Sequence, residues 1–391
     1  MKSFNNVCLY ILFIILFSCP HLWTQDIGLI LDQTAGYGGL QGDGKFDYEG
    51  TLIPRYSAFL GDNGEFYISA GIKVESLGGT ITVIPELLRT ELSWHFDIGD
   101  IKAGRMFYSA PLPFIVEGLF DGARFSFGTA MGSASIGAWY TGLLYKNRIN
   151  ITMTDNELLS NSSKLDYSDF ANTYFAPQRI ISAFDWEYPD LLDLVRVRVA
   201  LLGQFDLSDE GLNSQYLTTQ FTMPVKAFVI DIGGCLEMIQ DSGDLEAAFA
   251  GELGFGWTLP VFAQSQLSLL GRFSSGVFQP VTTMFQGDVL KARLSGLSMI
   301  SFYYTARFNR HVSARLSSSF FIGGKSGING NYPFTNADSG GSFLGNELFG
   351  KLYWSPVSDL WLNLGGGVFF PYKENAGNLL RFELNAVLSI Y

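Results

Sequence analysis

Residues 195–206 read Val195-Arg196-Val197-Arg198-Val199-Ala200-Leu201-Leu202-Gly203-Gln204-Phe205-Asp206. Val195, Val197, Val199, Leu201, Gly203 and Phe205 alternate with Arg196, Arg198, Ala200, Leu202, Gln204 and Asp206. A strand points successive side chains to opposite faces, so one face here is apolar and the other carries charge. The same period of two sets Ile300, Phe302, Tyr304, Ala306 and Phe308 against Ser301, Tyr303, Thr305 and Arg307. It sets Val312, Ala314, Leu316, Phe320 and Ile322 against His311, Ser313, Arg315 and Ser317. Near the end it sets Leu380, Phe382, Leu384, Ala386, Leu388 and Ile390 against Arg381, Glu383, Asn385 and Ser389. Roughly 18 such segments fill the chain, and helical periodicity is nearly absent.

The links between segments decide the architecture. Short ones fall at Asp62-Asn63-Gly64, Asp97-Ile98, Met131-Gly132, Pro189-Asp190, Pro224-Val225, Asn309-Arg310 and Pro356-Val357-Ser358. Between them lie mostly longer stretches rich in Gly, Asn and Ser, at 36–48, 109–118, 146–178, 276–294, 323–343 and 371–379. An outer-membrane barrel has tight turns on one rim and longer loops on the other, whereas a soluble sandwich has no need of that alternation. The expectation is an all-β, transmembrane, antiparallel up-and-down β-barrel of 18 strands, within a range of 14–18. A bilayer core holds no water, so strand backbones must pair within a closed ring. Trp94, Phe96, Trp186, Tyr188, Trp257, Trp354, Phe370 and Tyr391 sit beside links, as interfacial aromatic girdles do.

With the apolar face toward lipid, the other face meets the lumen. That face is expected to carry Arg55, Lys73, Arg89, Arg124, Arg196, Arg198, Arg272, Arg307, Arg315, Lys351 and Arg381. It is also expected to carry Glu75, Glu91, Asp185, Glu187, Asp231, Glu237, Glu246, Glu252, Glu347 and Glu383. Each Arg or Lys turned to mid-bilayer lipid would cost about 2–4 kcal/mol. The sum exceeds a domain's whole net stability. Both signs inside allow either a self-paired wall or a wet channel whose spare charges select solutes. A barrel of about 16–18 strands is too wide for its own side chains to fill, which favours the channel. The 146–178 loop is long enough to fold inward and narrow it.

Composition bounds the alternatives. The 391 residues hold 37 acidic and 25 basic side chains, a formal net charge of −12, and only 16% of the chain is charged. With 34 Phe, 18 Tyr and 44 Gly, this is not a disordered chain. Its acidity argues against nucleic acid, whose phosphates it would repel. Residues 1–24 read as a secretory signal peptide, with Lys2 ahead of an apolar run from Val7 to Phe17; residues 25–391 form the barrel. Leu16-Phe17-Ser18-Cys19 is a looser lipoprotein box that would move the cleavage point. With the first cleavage only Cys235 remains, too few thiols for a disulfide or a Cys-based zinc site.

Two stretches resemble outer-membrane porins, especially the alginate-export type. One is Gly104-Arg105-Met106 with Glu117-Gly118-Leu119-Phe120-Asp121-Gly122-Ala123-Arg124-Phe125. The other is Leu344-Gly345-Asn346-Glu347-Leu348, then Trp354-Ser355-Pro356, then Gly366-Gly367-Val368-Phe369-Phe370-Pro371. The resemblance implies an 18-stranded barrel, an acidic polysaccharide as cargo and inward roles for Arg105 and Arg124. Alternation alone leaves Arg105's face open; the preferred arrangement is Arg105 inward and Lys102 outward, snorkelling to the interface. Tyr391 shares the parity of Arg381 and Glu383, which a bulge in the last strand would correct.

Other constellations carry little. Gly323-Gly324-Lys325-Ser326 lacks the first glycine of a phosphate loop, and Gly36-Tyr37-Gly38-Gly39 fails dinucleotide spacing and reads as a rim loop. Asp43 to Glu49 is acidic but lacks the EF-hand spacing. His95 with Ser93 and Asp97, and His311 with Ser313, are common lumen pairs rather than a catalytic set. The expectation is a non-enzymatic channel without a cofactor. Its partners would be outer-membrane lipid, the barrel-assembly machinery and small hydrophilic solutes or saccharides. A barrel acting through its outer loops as adhesin or receptor is the second reading.

Overall fold

The computed structural model describes residues 25–40, 44–77, 79–208, 211–241, 243–260, 263–323, 342–373 and 377–391. The leader at 1–24, Asp43, Gly324-Lys325-Ser326 and nearly all of the 323–343 stretch lie outside the described residues. The first six strands are β1 (Gln25–Leu40), β2 (Lys45–Leu60), β3 (Gly64–Leu77), β4 (Thr80–Phe96), β5 (Gly99–Ser109) and β6 (Glu117–Thr129). The next six are β7 (Gly132–Tyr140), β8 (Arg179–Leu191), β9 (Val195–Asp206), β10 (Asn213–Val225), β11 (Phe228–Asp241) and β12 (Asp244–Leu259). The last six are β13 (Gln264–Ser274), β14 (Leu297–Arg307), β15 (Val312–Gly323), β16 (Ser342–Val357), β17 (Leu360–Pro371) and β18 (Leu379–Ile390). Each pairs antiparallel with the next, and β1 pairs with β18, so the 18-stranded sheet closes on itself. The architecture is the expected one.

The period of two is realised as two environments. Leu201, Leu236, Leu316 and Leu364 are each more than half exposed, while their strand neighbours Leu202, Cys235, Ser317 and Gly365 are buried. One exception is a bulge between β3 and β4, where Ser69 opposes Arg89 but Ala70 opposes Leu87. Leu88 is the extra residue. It puts Ile84, Glu86 and Leu88 on the buried side above, and Glu91 and Ser93 below, which simple alternation would not allow.

Several links shift from their expected places. Pro189 and Pro356 fall inside β8 and β16, where the ladders skip between Tyr188 and Leu191 and between Trp354 and Val357. A proline has no N–H to give, and such irregularities are where strands tolerate it. The turns follow at 192–194 and 358–359. Gly36 to Gly39 are strand residues of β1, not a rim loop, because β1 extends to Leu40. Tyr391 keeps the parity of Arg381: neither ladder of β18 contains a bulge, and the Arg55 guanidinium lies 4.2 Å over its ring.

Three loops fold into the barrel: 110–116 between β5 and β6, 141–178 between β7 and β8, and 275–296 between β13 and β14. Inward folding was expected of the second only. Leu112, Phe114, Ile115, Ile149, Ile151, Phe278 and Val281 are almost fully buried and join Met106, Tyr108, Trp139, Leu202 and Tyr216 in one cluster. These loops are too apolar to face water and are covered by the inner wall instead. A barrel too wide to be filled by strand side chains is filled in part by its own loops.

Candidate functional site

The 275–296 loop crosses the interior and is held along its length. Tyr216 of β10 donates its hydroxyl to the Gln279 carbonyl at 2.6 Å, and the Gln279 N–H donates to Glu237 of β11 at 2.8 Å. Val281 N–H reaches the Ile115 carbonyl, and Thr283 N–H reaches the Asn150 carbonyl, tying the three loops together. Arg272 donates to Glu252 at 2.6 Å and to Gln286 at 3.0 Å. At the tip, the Asp288, Val289 and Leu290 N–H groups all donate to the Glu347 carboxylate, at 2.7, 2.9 and 2.9 Å. Gly287 has a φ of +84°, and a Cβ there would sit 2.7 Å from the Phe321 ring and 2.9 Å from Glu347. Only glycine fits this turn. Arg315 of β15 then donates to both oxygens of Asp288, at 2.8 and 2.9 Å.

The 141–178 loop carries helices α1 (Lys146–Ile149), α2 (Asp155–Ser162) and α3 (Phe170–Tyr174). Thr154 and Glu157 form a capping box on α2. Glu157 also accepts from Arg179, a fully buried arginine at the start of β8. Arg179 pairs with Asp206 directly across β9 at 3.2 Å and donates to the Leu212 carbonyl. The far side of the loop lies on β4, where Arg148 pairs with Glu86 at 2.6 Å and Tyr174 donates to the Pro85 carbonyl. Burial pushes the Tyr174 phenol up to about 12 and pushes the Lys146 ammonium below its usual value. Lys146 donates to the Ser160 carbonyl and the Ser163 hydroxyl.

The rest of the interior carries ionic side chains. Lys351 pairs with Glu383 at 2.7 Å; Arg381 lies 3.7 Å from Glu383 and 3.9 Å from Asp47. Lys73 pairs with Glu49 and approaches Glu75, and Arg89 pairs with Glu91. Below the apolar cluster, Asp185 accepts from Tyr108 and Ser135, and Arg124 donates to Ser135. Glu187 stands between Arg196 and Arg198 at 3.5 and 3.8 Å, and Asp231 accepts from Thr222. Glu246 is exposed at the long-loop rim. Arg307 is exposed at the opposite rim. The wall is therefore largely self-paired, with Lys291 as an exception. It projects from the 275–296 loop among Arg381, Glu383, Asp47 and Asp288, and burial with the nearby Arg381 lowers its ammonium pKa.

Two placements differ from expectation. Lys102 does not snorkel to the outside: it opposes Ser93 on the inner face and donates to Glu91 at 2.9 Å. Arg105 has the opposite parity and does not project into the lumen. Strands β4 and β5 pair only from Phe96 to Thr90, and Arg105 is buried where they part. There it donates to Asp121 at 2.9 and 2.7 Å, to the Leu143 carbonyl and to the Leu87 carbonyl. It closes a gap in the wall. His95 pairs with Asp100 rather than Asp97, and Cys235 is buried. Among the described residues, no group of three or more His, Cys, Asp or Glu could hold a metal.

Arg179, Glu157, Glu86, Arg148, Asp288 and Lys291 were not singled out in the sequence. The apolar run Ala110-Pro111-Leu112-Pro113-Phe114-Ile115-Val116 was the available signal, since a loop of that composition must be covered. A concavity of about 1030 Å³ is lined mainly by the outward-facing Ile136, Phe184, Leu201, Leu217, Leu236 and Met238. It lies on the apolar outer face of the barrel wall.

No protein-family model matches the sequence, and no curated protein sequence does. Solved structures do match in fold. OccK9 (OpdG) of Pseudomonas aeruginosa superposes with a TM-score of 0.64 at 10% identity, covering 94% of this chain and 99% of that one. OccK2 (OpdF) of the same organism gives 0.63 at 10% identity, covering 94% and 98%. OccAB4 of Acinetobacter baumannii gives 0.62 at 10% identity, covering 95% and 99%. OccK2 has also been solved in complex with glucuronate. None of these matches shows the alginate-export family. In fold, this chain is similar to the Occ and Opd outer-membrane porins over nearly its whole length.

Proposed function

We propose that the chain is an integral outer-membrane channel for passive diffusion of small hydrophilic solutes. Residues 1–24 are its export signal, and the residues on the charged inner face are its solute path. The observation that carries this reading is the 275–296 loop, pinned across an ion-lined interior inside a wall whose outer face is apolar. The glucuronate complex of the similarly folded OccK2 supports a small sugar acid as cargo, and Lys291 beside Arg381 is a place for an anionic group to pass. Three loops packed inside the barrel favour a small solute over a polysaccharide chain. The adhesin reading is weakened because the 141–178 loop is packed against Glu86, Arg179 and Thr283 instead of projecting outward.

Liposome swelling tests this reading with solutes of graded size. Proteoliposomes should admit glucuronate and monosaccharides at rates that fall steeply for tri- and tetrasaccharides. Rates equal to those of empty liposomes would exclude diffusion through the barrel.

A further inference from the structure

We infer that the barrel has a second solute site at its short-turn mouth, for one anionic, ring-bearing hydrophilic molecule of monosaccharide size. The inference rests on the channel reading and adds to it a place where the solute pauses on leaving. A cavity of about 270 Å³ lies there, between the β14–β15 turn and the ends of β16 and β17. Its walls include Arg307, Arg310, His311, Tyr353, Trp361 and Asn363, and among the described residues no carboxylate lines it.

The basic groups are arranged for an external anion. His311 Nδ1 lies 2.7 Å from the Ser355 carbonyl, an acceptor, so that nitrogen carries the proton. Nε2 is then free to accept from Arg310 Nε at 2.8 Å. The imidazole is thus a neutral brace that uses Nε of Arg310 and leaves its terminal nitrogens for a ligand. The turn itself is fixed by Asn309, whose side-chain oxygen accepts the His311 and Val312 N–H groups at 2.7 and 2.9 Å. Arg307 stands on the same cavity. Two guanidiniums without a facing carboxylate repel one another, and a carboxylate or phosphate between them relieves this with paired, charge-assisted hydrogen bonds.

The remaining walls suit a ring. Trp361 opposes Val387 on the inner face of the ladder and is 40% exposed. With Tyr353 it offers an aromatic surface for the C–H face of a sugar. Asn363 donates to Asn385 at 3.0 Å, which leaves its amide oxygen to accept from a ligand hydroxyl. A site of this size, partly open to water, holds weakly enough to release, as conduction requires.

Full-length protein in planar bilayers tests the site with glucuronate, glucose 6-phosphate and glucose as probes, added on the short-turn side. Both anions should cause brief blockades, and glucose should not; whichever anion blocks at lower concentration names the group preferred. Arg307→Gln, Arg310→Gln and Trp361→Ala should each raise the blocking concentration about tenfold, and Arg310→Gln and Trp361→Ala should keep conductance in plain KCl near wild type. Unchanged blocking in all three variants would overturn the site while leaving the channel intact. Should no conductance appear at all, the channel reading fails instead, and intrinsic fluorescence of detergent-solubilised protein still decides the site. Saturable quenching by glucuronate that is lost in Trp361→Phe supports it; no saturable, Trp361-dependent response overturns it.

Discussion

The Glu347 carboxylate accepts the backbone N–H of Asp288 at 2.7 Å, joining strand β16 to a loop tip 59 positions earlier in the chain. Val289 and Leu290 donate to the same carboxylate. One buried side chain thus satisfies three consecutive amides that would otherwise be stranded in the interior. Replacing it by alanine should cost about 2–4 kcal/mol, since three donors lose their acceptor at once. Glu347→Ala is therefore expected to lower the heat-unfolding temperature and to give noisier, larger conductance steps, while Glu347→Asp falls between it and wild type.

Arg179 holds the 141–178 loop by the same logic with opposite charge. Removing a fully buried guanidinium leaves Glu157 and Asp206 facing one another without a cation, at about 3–5 kcal/mol. Arg179→Met should leave the barrel folded but expose the loop, so protease should nick residues 154–166 in the variant and spare the wild type.

How far these features are legible in the sequence depends on which environment enforces them. Lipid tolerates no charge at mid-depth, so Arg196 and Arg198 against Val197 and Val199 reveal their faces without any structure. The interior is not uniform. Water, paired ions and apolar loops all occur there, so inward residues obey no single rule. Phe114 and Phe278 are as greasy as any lipid-facing residue, yet are buried beneath the wall. Arg105 has the parity of the outer face, and only the parting of β4 from β5 gives it partners. The bulge at Leu88 leaves no trace in composition. Pro189 and Pro356 read as turns because proline usually ends a strand, whereas here each sits in a ladder irregularity short of the turn.

The apolar filling should be as sensitive to volume as any globular core. Phe114 is fully buried, with Arg272 5.4 Å over its ring. Phe114→Ala should destabilise by about 3–5 kcal/mol and free the 110–116 loop. Thermal unfolding followed by circular dichroism should show a lower midpoint with unchanged β content at 25 °C.

Lys291 sets the field beside Arg381 at the loop tip. Charge reversal there places a carboxylate next to Asp288 and Glu383, so Lys291→Glu should shift the reversal potential in a KCl gradient several-fold toward cations. Lys291→Gln should shift it by about half as much.

The depressed pKa of Lys146 gives the 141–178 loop a pH dependence of known sign. The unfolded loop keeps an ordinary lysine, so between the lowered folded pKa and the usual 10.5 it binds more proton than the folded loop. Folding of the loop is therefore favoured as pH rises through that window, and the gain is absent below the folded pKa. Protease protection of residues 154–163 should increase as the pH approaches 10.5, and Lys146→Met should abolish the dependence.

The central claim is that a closed barrel, greasy outside and ionic within, conducts small solutes past the 275–296 loop. Single-channel recording of purified, refolded full-length protein in planar bilayers tests it most directly. Discrete, reproducible conductance steps that enlarge in Glu347→Ala are the expected result. A protein that inserts and stays folded yet never conducts, in either form, would contradict it.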